Sequence, residues 1–355
     1  MVKVLVGTVL VASWLMQSCT ASEPDFGSPV ASSCGPSSAK PGDAPRAVRV
    51  GVTGALWESA QYLADAEGYF AQQSLKVQLI NFTSPSRMLP ALASSQLDVA
   101  SGNIGPGLFN GAENSVCVKV VGSMSRQEAN ANGVFLFARK DLVDGGMLRD
   151  YGDLRGLHIA VPGRDSTSEY VLAKELSAGG LTIKDVHLVQ MSFPTILVSL
   201  ANKAIDAAML PESLASAAAD KKLGFKWKPV SDVAPGTEFG VILFSPQFAA
   251  KRDLAVRWMA GYLQGARDYD AAFFHDVKRE AIVDRLVKIS PTKDPRLYDE
   301  MSYPRIDPNG SLNLDNLDAQ LNWFTESGEL HDPVGVDQVV DQSFAREAVA
   351  RIGSY

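Results

Sequence analysis

The side chains best placed for chemistry in this sequence follow short apolar runs, and their types suit holding a solute rather than transforming one. Trp57 and Glu58 come shortly after the alternating run Val48–Gly54. Thr83, Ser84 and Arg87 follow a second such run, and Gly102 and Asn103 follow a third. Arg164, Ser166 and Thr167 come after a fourth, Glu212 after a fifth, and Arg126 stands just ahead of another. Hydroxyls and amides supply hydrogen bonds, the planar guanidinium of arginine pairs with anions, and an indole can wall an apolar part of a ligand. The glycine-rich stretch Gly102–Gly107 lets backbone approach a bound molecule closely. A reacting set is not visible. The four histidines, His158, His187, His275 and His331, have no Cys or Ser beside them in a motif setting. Gly-x-Ser-x-Gly, Walker and His-Glu-x-x-His patterns do not occur, nor does metal-ligand spacing of Cys and His. The expectation is therefore a binding protein without enzymatic activity, catalytic residues, bound metal or cofactor.

Each of these residues also has a plain structural reading. Ser166 and Glu169 form a capping-box pattern, while the hydroxyl run Ser166-Thr167-Ser168 at a helix start also suits an oxyanion. Thr83 and Ser84 fit helix caps as well as cleft contacts. Glu58 can complement a helix N-terminus, and Trp57 can simply cover the core.

The elements that must position them come from an internal echo. Val48–Gly54 is matched by Leu157–Gly163, and Leu89–Ala100 by Leu197–Ala208, with the leucines, an Ala and an Asp in register. Between the paired segments, helical stretches at 62–70 and 170–177 and strands at 75–82 and 186–191 also correspond. Each half therefore runs strand–helix–strand–helix–strand, which predicts an α/β fold of two lobes, each a doubly wound parallel sheet. Apolar strands at 133–139 and 240–245 bracket the second half and predict a two-strand hinge. Lobe one is expected to comprise residues 46–139 plus 240–355, and lobe two residues 140–239. Helices at 253–275 and 279–289 would complete lobe one. Ligands sit beyond the C-terminal ends of strands in such sheets, where the residues named above fall.

The chain has 355 residues with a net charge of −7 and no basic cluster, which excludes nucleic acid as a natural partner. Residues 1–19 read as a secretory signal segment with Ser18-Cys19 at its end; lipidation of Cys19 is expected, with simple cleavage near Ala21 as the alternative. Residues 20–45, rich in Ser, Pro, Ala and Gly, read as a flexible tether. Of the three cysteines, Cys34 lies in that tether, so a structural disulfide to Cys117 is not expected.

Several stretches together resemble one known family. Gln61-Tyr62-Leu63-Ala64-Asp65-Ala66-Glu67-Gly68-Tyr69-Phe70 is similar to its Tyr-x-Ala-x-x-x-Gly-Tyr-Phe helix. The 91–100 run, Asp153–Val161 and the tail from Tyr303 to Gly353 also fit. The family is that of substrate-binding proteins of ABC importers for sulfonates, taurine, nitrate and thiamine-pyrimidine precursors. The resemblance implies a type II periplasmic-binding-protein-like fold and an exported, monomeric protein. It also implies a small-molecule ligand in an interlobe cleft, membrane permease subunits as partners, and membrane attachment through the lipid anchor. A sulfonate-like organic anion is the expected ligand, with a pyrimidine, nitrate or an aromatic solute as alternatives. A remoter alternative is a pyrimidine-precursor enzyme of the same fold. The sequence departs from the pattern at Leu56-Trp57-Glu58-Ser59 and at Pro211-Glu212, where relatives often have a Pro and a Glu-Pro.

Overall fold

The computed structural model describes residues 45–110 and 117–355. The expected signal segment, Cys19, Cys34 and nearly all of the tether lie outside these residues. The first strands are β1 (Arg46–Val52), β2 (Leu75–Asn81), β3 (Val99–Gly102) and β4 (Lys119–Arg126). Next come β5 (Val134–Arg139), β6 (His158–Val161), β7 (His187–Gln190), β8 (Ala207–Pro211) and β9 (Gly224–Pro229), and the last is β10 (Glu238–Phe244). They form two five-stranded sheets, ordered β2-β1-β3-β10-β4 and β7-β6-β8-β5-β9.

The internal echo is thus an echo of topology, since each sheet begins second-first-third. The sheets are mixed rather than wholly parallel. β10 runs antiparallel to β3 and β4, and β5 antiparallel to β8 and β9. In each sheet the reversed strand is the one that the chain enters from a crossing between lobes. The expected boundary also moves. β5, placed in lobe one by the bracket argument, belongs to the second sheet. Val134, Leu136, Phe137 and Ala138 are fully buried, and such a strand needs neighbours on both edges, which β8 and β9 supply. The chain therefore crosses at 127–133 and returns at 230–237.

Gln127 ties the two crossings together. Its backbone N–H donates to Thr237 O (2.9 Å), and its carbonyl accepts from Gly236 N–H (2.6 Å). Its side chain accepts from Gly133 N–H (2.7 Å) and donates to Ser125 Oγ (3.1 Å).

The paired Asp residues of the repeat do the same job twice. Asp98 accepts from Arg49 N–H and the Arg49 guanidinium, and Asp206 accepts from His158 N–H and the Arg139 guanidinium. The backbone N–H of each Asp returns a bond to the same strand, Asp98 to Arg49 O (2.9 Å) and Asp206 to His158 O (2.8 Å). The register of first against third strand is set this way in both sheets. The turn before each Asp carries a left-handed residue, Ser95 (φ 57°) and Lys203 (φ 60°). Asp206→Ala should lower stability by about 1.5–3 kcal/mol, the range for hydrogen bonds to a charged group. Chemical denaturation checks it; a loss within error of zero would mean that pairing alone holds the register.

The helix Arg252–Phe274 backs the first sheet, with Trp258, Met259, Tyr262, Leu263 and Tyr269 fully buried. Gly265 lets it meet the helix Ser59–Ala66 closely, since a Cβ there would lie 2.1 Å from Ala60 O. The tail is not confined to lobe one. Phe324, on the helix Leu314–Glu326, packs in the first lobe's core, while neighbouring Trp323 meets Tyr170 of the second lobe edge-on at 5.9 Å. Cys117 is disulfide-bonded, contrary to expectation; its partner lies outside the described residues. The run 118–124 that follows is mostly buried sheet core.

Candidate functional site

The C-terminal ends of β3 and β6 meet across the gap between the sheets. Thr167 N–H donates to Ile104 O (2.9 Å), and Ile104 N–H donates back to Thr167 Oγ1 (3.1 Å). Beside this junction is a cavity of about 120 Å³ walled by both lobes. The first lobe contributes Ser86, Gly102, Asn103, Gly105 and Gly107, and the second contributes Arg164, Asp165, Ser166 and Ser168. Close approach of the two lobes is built in at Gly105, where a Cβ would come within 2.7 Å of Asp165 O.

Of the residues singled out from the sequence, Gly102, Asn103, Arg164 and Ser166 line this cavity. Gly102 also serves packing, because a Cβ would lie 2.3 Å from Leu243 Cδ1 of β10. Asn103 donates from Nδ2 to Phe239 O (2.7 Å). Ser166 caps the helix Thr167–Ala178, accepting from Ser168 N–H (3.3 Å) and donating to Gly163 O (2.8 Å). Arg164 is close to half exposed, with its guanidinium 3.5 Å from Glu169. Ser168 is the last of the hydroxyl run at this helix start. It lines the cavity, is buried, and its Oγ has no hydrogen-bond partner among the described residues. Buried hydroxyls are paired as a rule, so this one calls for a reason. Ser86 lines the cavity too; its Oγ lies 3.1 Å from that of Ser84. The hydroxyl-rich runs around both residues carried the signal.

The remaining residues are held elsewhere. Trp57 is buried and packs against Phe239 at 5.6 Å, so it covers the core. Glu58 is spent on its own loop, accepting from Thr53 N–H (2.7 Å) and hydroxyl (3.1 Å), Gly54 N–H (2.5 Å) and Ala55 N–H (3.0 Å). Burial outweighs those donors and pushes its carboxyl up to about 7. Arg126 faces Glu128 (2.9 Å), Glu238 (3.4 Å) and Asp307 (3.5 Å), an ion network at the crossing that occupies its fork. Glu238, fully buried, also accepts from Ser123 Oγ (2.7 Å) and Asn313 N–H (2.8 Å), and its carboxyl is likewise raised to about 7 by burial. Glu212 pairs with Lys226 (3.0 Å) and Ser216 (2.6 Å), with its pKa raised by desolvation. Thr83, Ser84 and Arg87 flank the cavity-lining Pro85-Ser86 without lining it themselves. Thr167 is fully buried in the interlobe junction, where its hydroxyl also donates to Gln320 Oε1 (2.7 Å). No signal in the sequence marked Gln320. Among the described residues no group of three or more His, Cys, Asp or Glu is placed to hold a metal ion, and no helix is long and apolar enough to cross a membrane.

The comparisons with known proteins agree with this architecture. A protein of Brucella abortus (strain 2308), named as a candidate binding protein, is 24% identical over 298 residues, covering 81% of this chain and 88% of its own. The periplasmic nitrate-binding protein NrtA from Synechocystis PCC 6803 superposes with a TM-score of 0.72 at 14% identity, covering 87% of this chain and 90% of that one. The alkanesulfonate-binding protein SsuA from Xanthomonas axonopodis pv. citri, bound to MOPS, gives 0.64 at 20% identity, covering 84% and 99%. The desulfurization enzyme DSZB shares the fold more distantly, with a TM-score of 0.53 at 13% identity over 86% of this chain and 99% of its own. At these identities the solved structures speak for the fold alone. The model described as NMT1/THI5 like matches residues 59–268, more than half of the chain and nearly all of both sheets, and the protein belongs to that family.

Proposed function

We propose that this protein is the solute-binding component of an ABC-type importer and that it holds a small organic anion, sulfonate-like, in the interlobe cavity. The observation that carries the reading is the cavity itself, walled from both lobes at strand ends, with buried Ser168, whose hydroxyl has no hydrogen-bond partner among the described residues, among its lining residues. Ser86, Ser166 and Ser168 supply hydroxyls, and Arg164 supplies the cationic group of the lining. The carboxylates that would favour a pyrimidine with N–H donors, Glu58, Glu212 and Glu238, are all bonded within the protein and do not line the cavity. Asp165 is the one carboxylate among the lining residues, and the choice of an anion rests on Arg164 and the three serine hydroxyls beside it. Delivery to membrane permease subunits, export by the N-terminal segment and anchoring at Cys19 belong to the same proposal. Mass spectrometry of the membrane fraction tests the anchor, since an unmodified N-terminus near Ala21 would refute it.

A ligand that binds only the folded form raises its melting temperature. At a hundredfold excess over Kd the gain is about 2.7 kcal/mol, or roughly 5 °C for a chain of this size. Ethanesulfonate or taurine is expected to give such a shift, and Ser168→Ala to abolish most of it. A shift with a pyrimidine and none with sulfonates or nitrate would refute the anion reading.

A further inference from the structure

Gln320, on the C-terminal tail, makes a hydrogen-bonded junction that no solute need enter. It is fully buried. Its Nε2 donates to Glu238 O (3.1 Å) and Asn316 Oδ1 (2.8 Å). Asn316 Oδ1 in turn accepts from Glu238 N–H (2.9 Å), so both neighbours of Nε2 are acceptors and the amide orientation is set. Gln320 Oε1 is thereby turned to Thr167, whose hydroxyl donates to it at 2.7 Å and accepts from Ile104 N–H at 3.1 Å. Three parts of the chain meet at one hydroxyl: the helix start of the second lobe, the loop after β3 of the first, and the tail helix pinned to the start of β10. The tail touches the second lobe again at Lys226, which donates to Glu300 O (3.0 Å).

We infer that Thr167 and Gln320 form a clasp that holds the lobes closed, with Gln320 a positioning residue acting through Thr167 and neither touching the solute. If the lobes part, Thr167, Gln320 and both polar groups of Ile104 lose these partners together. The clasp therefore sets the ratio of closed to open protein before any solute arrives, and a solute that binds only the closed form inherits that ratio in its apparent affinity. The inference rests on the capture reading for its purpose, but its test contains no solute, so either can fail alone.

The test is small-angle X-ray scattering of the full chain without solute. Wild type is expected to scatter as the closed form. Thr167→Val, which removes the hydroxyl and keeps the shape, should lower the closed-to-open ratio roughly tenfold, as for one or two net hydrogen bonds, and enlarge the radius of gyration. Thr167→Ser keeps the hydroxyl and should restore the wild-type profile. Gln320→Met should reproduce the valine result and replaces it if Thr167→Val fails to unfold cooperatively. A wild type already open, a Thr167→Val profile superimposable on wild type, or a serine variant as open as the valine one would each overturn the clasp.

Discussion

Replacing Arg126 by Met is expected to destabilise the protein by about 3 kcal/mol at pH 8, because it strips a fully buried carboxylate of its only cationic neighbour within salt-bridge distance among the described residues. Glu238 would keep its bonds from Ser123 and Asn313, but those donors are neutral. The substitution also removes the 3.5 Å contact to Asp307, which repels Glu238 once the guanidinium is gone. The loss should shrink markedly at pH 5. There Glu238, whose carboxyl already sits near 7 in the presence of Arg126, takes up a proton and no longer needs a counter-charge. Urea unfolding at the two pH values checks it, and equal losses at both would show that Arg126 acts through packing of its stem instead.

The second large effect is on the intact protein. Glu58 and Glu238 both have carboxyls raised by burial from 4.5 to about 7. A raised carboxyl binds its proton more tightly in the folded state than in the unfolded one. Its contribution to stability is therefore complete below the unfolded value of 4.5 and is lost as pH rises through 7. Each shift sets a ceiling of about 3 kcal/mol. Carboxylates held low, such as Asp141 by Arg139 and Lys203, act in the opposite sense, but on the acid side of that window. Melting temperature should accordingly fall by several degrees between pH 5 and pH 8. Buried Glu175 and Glu212, raised by desolvation, act in the same sense, so Glu58→Gln should flatten a part of the slope and leave the rest, whatever it does to the plateau. A melting temperature that climbs over the same interval would contradict the sign.

The two-lobed α/β plan was legible because it is written locally and twice. Alternation of apolar residues in Val48–Val52, the Gly that follows, and the in-register Asp98 and Asp206 depend on near neighbours in sequence, so both sets of three parallel strands could be read directly. So could Asn103, Ser166 and the glycine-rich loop, because residues that follow such strands fall at the sheet's C-terminal edge whatever the rest of the chain does. What could not be read was which partner a strand or side chain finds at long range. β5 and β10 resemble each other as apolar runs, and only pairing decides that one joins the second sheet and the other returns to the first, each against the direction of its neighbours. Glu58, Arg126 and Glu212 carry the same groups whether they face a solute or a loop, and the competition was won by donors and counter-ions that folding brought closer. Gln320 shows the limit most clearly. Nothing around it in sequence distinguishes it from any other amide on an amphipathic helix, and its role arises because a buried hydroxyl more than a hundred residues away needs an acceptor when the two lobes close.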